Sequence, residues 1–165
     1  RGILDFSDLH VPDSLAKFLR KTSWGFSVNR EFDQVLEHCA AAPRPNQKGT
    51  WITKKLNKAY REFHRAGYAH SLEVWEAGQL IGGLYGVYVG GVFCGESMFF
   101  LKSNASKFAL IKLIGFLKEN GLTWMDIQMV TPLMKSLGGK YIPRERFLQR
   151  FESSKKSARP IQFRT

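Results

Sequence analysis

Cysteine is scarce in this chain, and its scarcity excludes two kinds of site. The 165 residues include only Cys39 and Cys94, which have neither metal-ligand spacing nor Cys-x-x-Cys spacing. Both lie in apolar patterns, where a free cysteine is an ordinary small buried residue. No cation stands beside Cys94 to lower its thiol pKa, so a catalytic cysteine has little support. We expect no metal site.

Long apolar runs are also missing. No stretch of about 18 apolar residues and no signal-peptide pattern occurs, which predicts a cytoplasmic protein with no membrane partner. The composition nevertheless supports a packed core, because 44% of the residues are apolar and 13% are aromatic. By length the chain is one domain, with room for a short appendage.

Acidic residues are few relative to basic ones. Twenty-five Lys and Arg against 14 Asp and Glu give a net charge of +11, which favours a polyanionic partner, most commonly nucleic acid. A merely soluble basic protein is the alternative. Lys17, Arg20 and Lys21 share one face of a helix predicted over 13–21 and capped by Asp13 or Ser14. These cations are either a solvated face or phosphate contacts.

The remaining pattern predicts an α+β fold with a mixed, mainly antiparallel sheet and flanking helices. A strand is expected over 24–28, three antiparallel strands over 69–98, and a returning strand over 122–129. Helices are expected over 30–42, 53–67, 104–120, 133–137 and 143–151, with a turn-rich loop over 43–49. In the helix over 53–67, Thr53 is a plausible N-cap, with Leu56, Tyr60 and Phe63 facing inward.

Glu96 is the most unusual residue of the predicted sheet. It stands in an apolar run, Phe93 to Phe99, with glycines at 82, 83, 86, 90 and 91 before the run and at 95 within it. A lone carboxylate in such a run must be paired, hydrated or used, because burying an unpaired charge is expensive. The glycines indicate a backbone that something approaches closely. This pattern predicts the floor of an active site.

Two further features have both a structural and a functional interpretation. Asp126 and Gln128 alternate with apolar neighbours, so an extended strand would place both side chains on one face, where they pair or meet a ligand. Trp51 precedes a helix and is either a core plug or a stacking platform.

The order of the elements is also that of the GNAT-like fold of the N-acetyltransferases. Those enzymes carry a glycine-containing loop before the long helix, whose backbone amides hold a pyrophosphate. Here the corresponding residues, 101–106, include no glycine. Coenzyme A binding is therefore disfavoured.

An ordered set of short segments resembles the leucyl/phenylalanyl-tRNA–protein transferase family. The set covers roughly residues 1 to 150. Its blocks are Gly49-Thr50-Trp51-Ile52-Thr53, Ala59-Tyr60, Gly67-x-Ala69-His70-Ser71-x-Glu73-Val74-Trp75, Gly82-Gly83-x-Tyr85-Gly86, Phe93 to Phe99, Ala105-Ser106-Lys107, Asp126-x-Gln128, Ser136-Leu137-Gly138 and Ile142-Pro143-Arg144.

The resemblance implies transfer of Leu, Phe or Met from aminoacyl-tRNA to the α-amine of proteins that begin with Arg or Lys, which marks them for N-degron degradation. It implies no cofactor, with aminoacyl-tRNA as co-substrate, and we expect a monomer. The tRNA would then be the polyanionic partner that the basic net charge favours.

Site roles follow from the same resemblance. Asp126 and Gln128 match the catalytic pair, and Glu96 with Asp126 resembles the acids that receive the acceptor's cationic side chain. Trp51 and Tyr60 resemble contacts to the terminal adenosine, and Lys17, Arg20 and Lys21 fall near the basic cluster for the acceptor stem. The implied pocket for the transferred side chain is Leu84, Phe93, Met98, Leu110, Leu113 and Met125.

Two departures from the family pattern are visible. Thr131-Pro132-Leu133 stands where the family commonly has Asn-Asp/Pro-His, so that histidine is missing. The expected domains are a GNAT-like aminoacyltransferase domain over 1–153 and a basic tail over 154–165, with the family's N-terminal domain absent. The competing hypotheses are an acetyl-CoA-dependent N-acetyltransferase and a non-catalytic RNA-binding module on the same fold.

Overall fold

The computed structural model describes residues 1–43 and 49–164, so most of the loop predicted over 43–49 lies outside the described residues. Strands and helices follow one another in this order: β1 (Gly2–Asp5), α1 (Asp13–Lys21), β2 (Gly25–Val28), α2 (Phe32–Ala41), α3 (Lys54–Arg65), β3 (Ala69–Glu76), β4 (Gln79–Val89), β5 (Val92–Phe100), α4 (Ala105–Glu119), β6 (Trp124–Gln128), α5 (Pro132–Ser136), β7 (Lys140–Tyr141) and α6 (Arg144–Lys156).

The strands form a seven-stranded sheet in the order β2-β3-β4-β5-β6-β1-β7. β1 pairs antiparallel with both β6 and β7, β2 pairs antiparallel with β3, and β5 runs parallel to β6. The α+β class with a mixed, mostly antiparallel sheet is thereby confirmed. Neither β1 nor β7 was predicted, because β1 does not alternate between apolar and polar residues and the two residues of β7 are too few to show a pattern.

The chain divides into two compact units. The first comprises residues 1–22, 87–95 and 113–162, and the second comprises 23–86, 96–112 and 163–165. The chain passes from the first unit to the second between Gly95 and Glu96.

In the first unit, Ile3, Val92 and Trp124 form a buried cluster against which Phe147 and Phe151 of α6 pack. Trp124 Nε1 donates to Ser154 Oγ at 3.0 Å near the end of α6, which runs to Lys156, beyond the predicted 143–151.

The predicted cap of α1 is wrong. Asp13 and Ser14 already lie inside the helix, the N-cap position is Pro12, and no side chain caps it. Proline sets a backbone angle that suits the start of a helix, so this terminus forms without a capping side chain.

In the second unit, α2 buries Phe32, Val35, Leu36 and Cys39, as its spacing predicts. Thr53 caps α3 by accepting from Leu56 N at 3.3 Å, which confirms that prediction.

The predicted inward face of α3 is right for Tyr60 and wrong for Leu56 and Phe63, which are 37% and 49% exposed. Tyr60 packs inward together with His64, four residues further along and therefore on the same face. Their rings lie 5.0 Å from Tyr85 and 4.1 Å from Phe32, respectively. Both rings carry polar groups, so the apolar pattern does not reveal His64 as part of this contact.

Two glycines of β4 make room for the protein itself. A Cβ at Gly82 would lie 2.5 Å from Ala105 Cβ, and one at Gly83 would lie 2.8 Å from Leu72 O. At these two positions the close approach that the sequence predicts is made by the start of α4 and by the neighbouring strand β3. Among the described helices, none is long and apolar enough to cross a membrane.

Candidate active site

Asp126 lies near the middle of the sheet in the first unit. It pairs with Cys94 on one side and with Ile3 on the other, and only 2% of its surface is exposed. Strand β6 is short and mostly apolar, so its carboxylate enters the interior with the strand. A charge in this place needs partners.

The partner of Asp126 is Arg1. Arg1 Nε lies 3.0 and 3.1 Å from the two carboxylate oxygens, and Arg1 Nη2 donates to Oδ2 at 2.8 Å. This is the forked geometry in which a guanidinium binds a carboxylate through parallel hydrogen bonds. Arg1 was not predicted as a site residue, because 125 positions separate it from Asp126 and no local pattern links the two.

Gln128 ends β6 in a tight turn. Its φ is 61°, and Met129 N donates to Ile127 O at 2.6 Å, which makes Gln128 the centre of a γ-turn. The form with positive φ is the rarer and more strained of the two γ-turns. Strain in a non-glycine residue persists where surrounding contacts hold it, and such residues are concentrated at functional sites.

Asp126 holds this turn. Its Oδ1 accepts from the backbone N of Gln128 at 2.8 Å, while Gln128 Nε2 donates to Gly95 O at 3.3 Å. The prediction that these side chains share a face assumes an extended strand, and the backbone leaves that conformation at Gln128. The carboxylate of Asp126 is thus bound to the backbone of Gln128. The side-chain amide of Gln128 is oriented separately, by its hydrogen bond to Gly95 O.

The orientation of the amide determines its chemistry. With Nε2 donating to Gly95 O, the carbonyl oxygen Oε1 is the remaining acceptor, and no donor to it is found within residues 1–43 and 49–164. An oxygen in this position can accept a hydrogen bond from the N–H of an amine.

Glu96 belongs to a second cluster, in the second unit. The Tyr60 hydroxyl donates to Glu96 Oε2 at 3.0 Å, so the half-buried carboxylate is paired with a neutral donor. Burial, followed by the charge of Glu96 and this hydrogen bond, raises the pKa of Tyr60 well above its ordinary value. Tyr60 therefore remains a donor at neutral pH.

Aromatic rings surround Tyr60. Its ring makes edge contacts with Tyr85 at 5.0 Å and with Trp51 at 6.4 Å. Trp51 is 40% exposed, which disagrees with the core-plug interpretation and leaves part of the indole accessible for stacking.

The six residues predicted to wall the side-chain pocket divide between the units. In the first unit, Phe93 and Met125 are register partners on β5 and β6, and Leu113 is buried. In the second unit, Leu84 and Leu110 are buried and Met98 is half-buried. Five of the six are buried and Met98 is half-buried, and their role stays a prediction.

The predicted RNA contacts Lys17, Arg20 and Lys21 are all exposed on α1. Exposure is necessary for contact with a phosphate backbone and equally compatible with a solvated face. Over the described residues, no group of three or more His, Cys, Asp or Glu side chains is arranged to hold a metal ion.

Comparison with known proteins gives the family. The sequence model of the family described as leucyl/phenylalanyl-tRNA protein transferase matches residues 3–152. A curated leucyl/phenylalanyl-tRNA–protein transferase from Shewanella sp. (strain W3-18-1) is 48% identical over 149 residues, which are 90% of this chain and 63% of the relative. One from Pseudoalteromonas atlantica is 47% identical over 156 residues, covering 94% of this chain and 66% of the relative.

A solved structure shares the fold at low sequence identity. L-PGS from Bacillus licheniformis matches with a TM-score of 0.52 and 17% identity, over 78% of this chain and 45% of that one. The chain spans about 63% of the length of the curated relatives it matches. Since the family's sequence model covers nearly the whole chain, the chain belongs to the leucyl/phenylalanyl-tRNA protein transferase family.

Proposed function

We propose that this chain carries the aminoacyl-transfer chemistry of its family. Leu, Phe or Met would pass from aminoacyl-tRNA to the N-terminal α-amine of proteins that begin with Arg or Lys, and the modified proteins would enter N-degron degradation. The observation that carries the proposal is the strained turn at Gln128, held by Asp126, in a chain of this family.

The reaction joins an amine to an activated ester. The amine nitrogen attacks the ester carbonyl carbon, a new amide bond forms, and the bond to the ribose oxygen breaks. The proton lost from the amine balances the hydroxyl regained by the tRNA. Gln128 Oε1 would accept a hydrogen bond from the attacking amine and fix its approach, which is catalysis by orientation. Asp126 would act by holding the turn that presents this oxygen.

Glu96 would receive the cationic side chain of the acceptor. Tyr60 donates to one carboxylate oxygen, and the other is then available for a charge-assisted hydrogen bond to Arg or Lys. Trp51 and Tyr60 would contact the terminal adenosine, with the exposed indole as the stacking surface.

The transferred side chain would lie against the six apolar residues predicted for that pocket. The half-buried Met98 is flexible enough to fit Leu, Phe and Met in turn. A pocket of this kind rejects a β-branched side chain by crowding, although one methyl group is worth only about 1–3 kcal/mol.

The proposal extends to the partners of the chain, its fold, its compartment and its oligomeric state. Lys17, Arg20 and Lys21 would contact the acceptor stem, and aminoacyl-tRNA would be a co-substrate with no cofactor or metal required. The fold would be GNAT-like, and the protein would work as a cytoplasmic monomer. An aminoacyl ester is already activated, so the reaction needs no nucleotide.

One assay tests the proposal. The chain is incubated with labelled Phe-tRNA, and separately with labelled acetyl-CoA, together with a peptide that begins with Arg. We expect transfer from the tRNA alone, abolished by Gln128→Ala and Asp126→Ala. The exposed Gln79 at the start of β4 supplies the control variant Gln79→Ala, which should retain transfer. RNA binding without transfer would favour the RNA-binding module, and acetyl transfer would favour the N-acetyltransferase.

A further inference from the structure

We infer that Arg1 is a positioning residue for the transfer reaction, acting on Gln128 through Asp126. The inference rests on the proposed function. It concerns the side chain of Arg1 and its contacts with Asp126 and Phe147 in the first unit.

The contact between Arg1 and Asp126 fixes the carboxylate in one orientation. Two guanidinium nitrogens bind the two carboxylate oxygens at 2.8 to 3.1 Å. The carboxylate is 2% exposed, whereas 43% of the Arg1 side chain remains accessible. Arg1 thus bridges solvent and the sheet interior, and it neutralises a charge that the interior could not hold alone.

Arg1 is itself held by contacts beyond the ion pair. Ile142 N donates to Arg1 O at 3.0 Å, and the guanidinium carbon lies 5.8 Å from the centre of the Phe147 ring. A guanidinium over an aromatic face gains a cation–π interaction and loses freedom to rotate. The fork therefore meets Asp126 in a defined plane.

The orientation passes to Gln128 through one shared oxygen. Asp126 Oδ1 accepts from Arg1 Nε at 3.0 Å and from Gln128 N at 2.8 Å. Rotation of the carboxylate would break the second bond, which is the contact that restrains the γ-turn with φ of 61° at Gln128. Without this hydrogen bond, the backbone at Gln128 can relax to another conformation. The side-chain amide of Gln128 would then change its orientation together with the backbone.

This arrangement changes the role expected of Asp126. Both of its oxygens are bound to Arg1, so an acceptor's Arg or Lys would have to displace Arg1 in order to reach them. Holding the turn requires no displacement. A lysine could neutralise the charge but presents a point charge without the planar fork, so it would not fix the carboxylate plane.

The test compares Arg1→Lys and Arg1→Ala with Arg146→Ala, which removes an exposed arginine from α6. We expect both Arg1 variants to lower kcat about 10- to 100-fold, as misplacement of a reacting group does, with little change in KM for tRNA or peptide. Arg146→Ala should keep wild-type kcat. Millimolar guanidinium should restore much of the kcat of Arg1→Ala, while the same concentration of urea should not.

A second measurement does not depend on activity. In the folded Arg1→Lys variant, hydrogen exchange of the Gln128 backbone amide should be faster than in wild type, because its acceptor is no longer fixed. If the wild-type chain transfers nothing, the proposed function fails. This measurement still shows whether Arg1 holds the turn at Gln128. Unchanged protection of the Gln128 amide, or an Arg1→Ala variant with wild-type kcat, would overturn the inference.

Discussion

The hydroxyl of Tyr60 donates to Glu96 Oε2 at 3.0 Å, and burial raises the pKa of that hydroxyl further above its ordinary value. The acidic residue in the apolar strand is therefore not an isolated charge. A neutral donor fixes one carboxylate oxygen without cancelling the negative charge. Glu96 keeps the charge that a cationic ligand requires.

Replacing Glu96 with Gln should weaken the use of peptides that begin with Arg. The amide keeps the size of the side chain and removes its charge, so the bond to the acceptor's guanidinium loses its charge assistance. We expect KM for the peptide to rise about tenfold, equivalent to about 1.4 kcal/mol, while tRNA affinity stays within about twofold. Steady-state kinetics with an Arg-peptide and a binding titration with tRNA measure the two effects.

Tyr60→Phe is the matched variant for this prediction. It retains the ring beside Trp51 and Tyr85 and removes only the bond to Glu96. Its effect on peptide KM should be smaller than that of Glu96→Gln. Equal losses in peptide use and tRNA binding for Glu96→Gln would contradict the acceptor role.

Sequence pattern predicted the parts of the fold in which one periodicity runs without interruption. Helix α2 is an example, since Phe32, Val35, Leu36 and Cys39 are buried at the expected spacing. The same reasoning was right for Tyr60 in α3 but failed for Leu56 and Phe63, which follow the spacing and are exposed. The ring contacts of Tyr60 and His64 decide that packing, and they depend on where Tyr85 and Phe32 lie in space.

The candidate site likewise includes residues that the sequence reveals and residues that it does not. Asp126, Gln128 and Glu96 could be selected from the sequence because polar residues in apolar strands are conspicuous. Arg1 could not, since its pairing with Asp126 arises only when β1 and β6 are adjacent. The turn at Gln128 is equally invisible in the sequence, because glutamine has no preference for positive φ.

The strain at Gln128 can be separated from its chemistry. A residue with a Cβ at φ of 61° carries a penalty that glycine avoids, so Gln128→Gly should be more stable than Gln128→Ala by about 1 kcal/mol. Both variants lack the side-chain amide and should lose transfer. Urea denaturation measures the stability difference. Gln128→Ala as the more stable of the two would contradict strain at this position.

Stability should fall in acid because of His70. The ring stacks on Phe163 at 3.7 Å and its Nδ1 lies 3.0 Å from Asn29 Nδ2. Burial, followed by the charge of His64, lowers the pKa of His70 from 6.5 to about 4. The unfolded chain then binds a proton that the folded chain does not, so stability is fully present above pH 6.5 and declines towards pH 4.

Variants isolate this contribution. Urea unfolding at pH 7, 5.5 and 4.5 should show a smaller decline for His70→Gln than for wild type. His10→Gln removes an exposed histidine and should keep the wild-type slope. If both variants follow wild type, the acid sensitivity comes from other groups.

Gly83 should be among the least replaceable residues of β4. An added Cβ would lie 2.8 Å from Leu72 O, 3.1 Å from Phe99 Cε1 and 3.3 Å from Val35 Cγ2. Backbone in a sheet cannot move aside easily, so Gly83→Ala should destabilise by about 1–3 kcal/mol, the usual range for overpacking. Gly115 in α4 has open space where a Cβ would stand, so Gly115→Ala should stabilise by about 1 kcal/mol through helix propensity. Thermal unfolding of the two variants therefore gives shifts of opposite sign. If Gly83→Ala has the same thermal stability as wild type, β3 can move away from β4. The close fit between these strands would then not explain why glycine occupies this position.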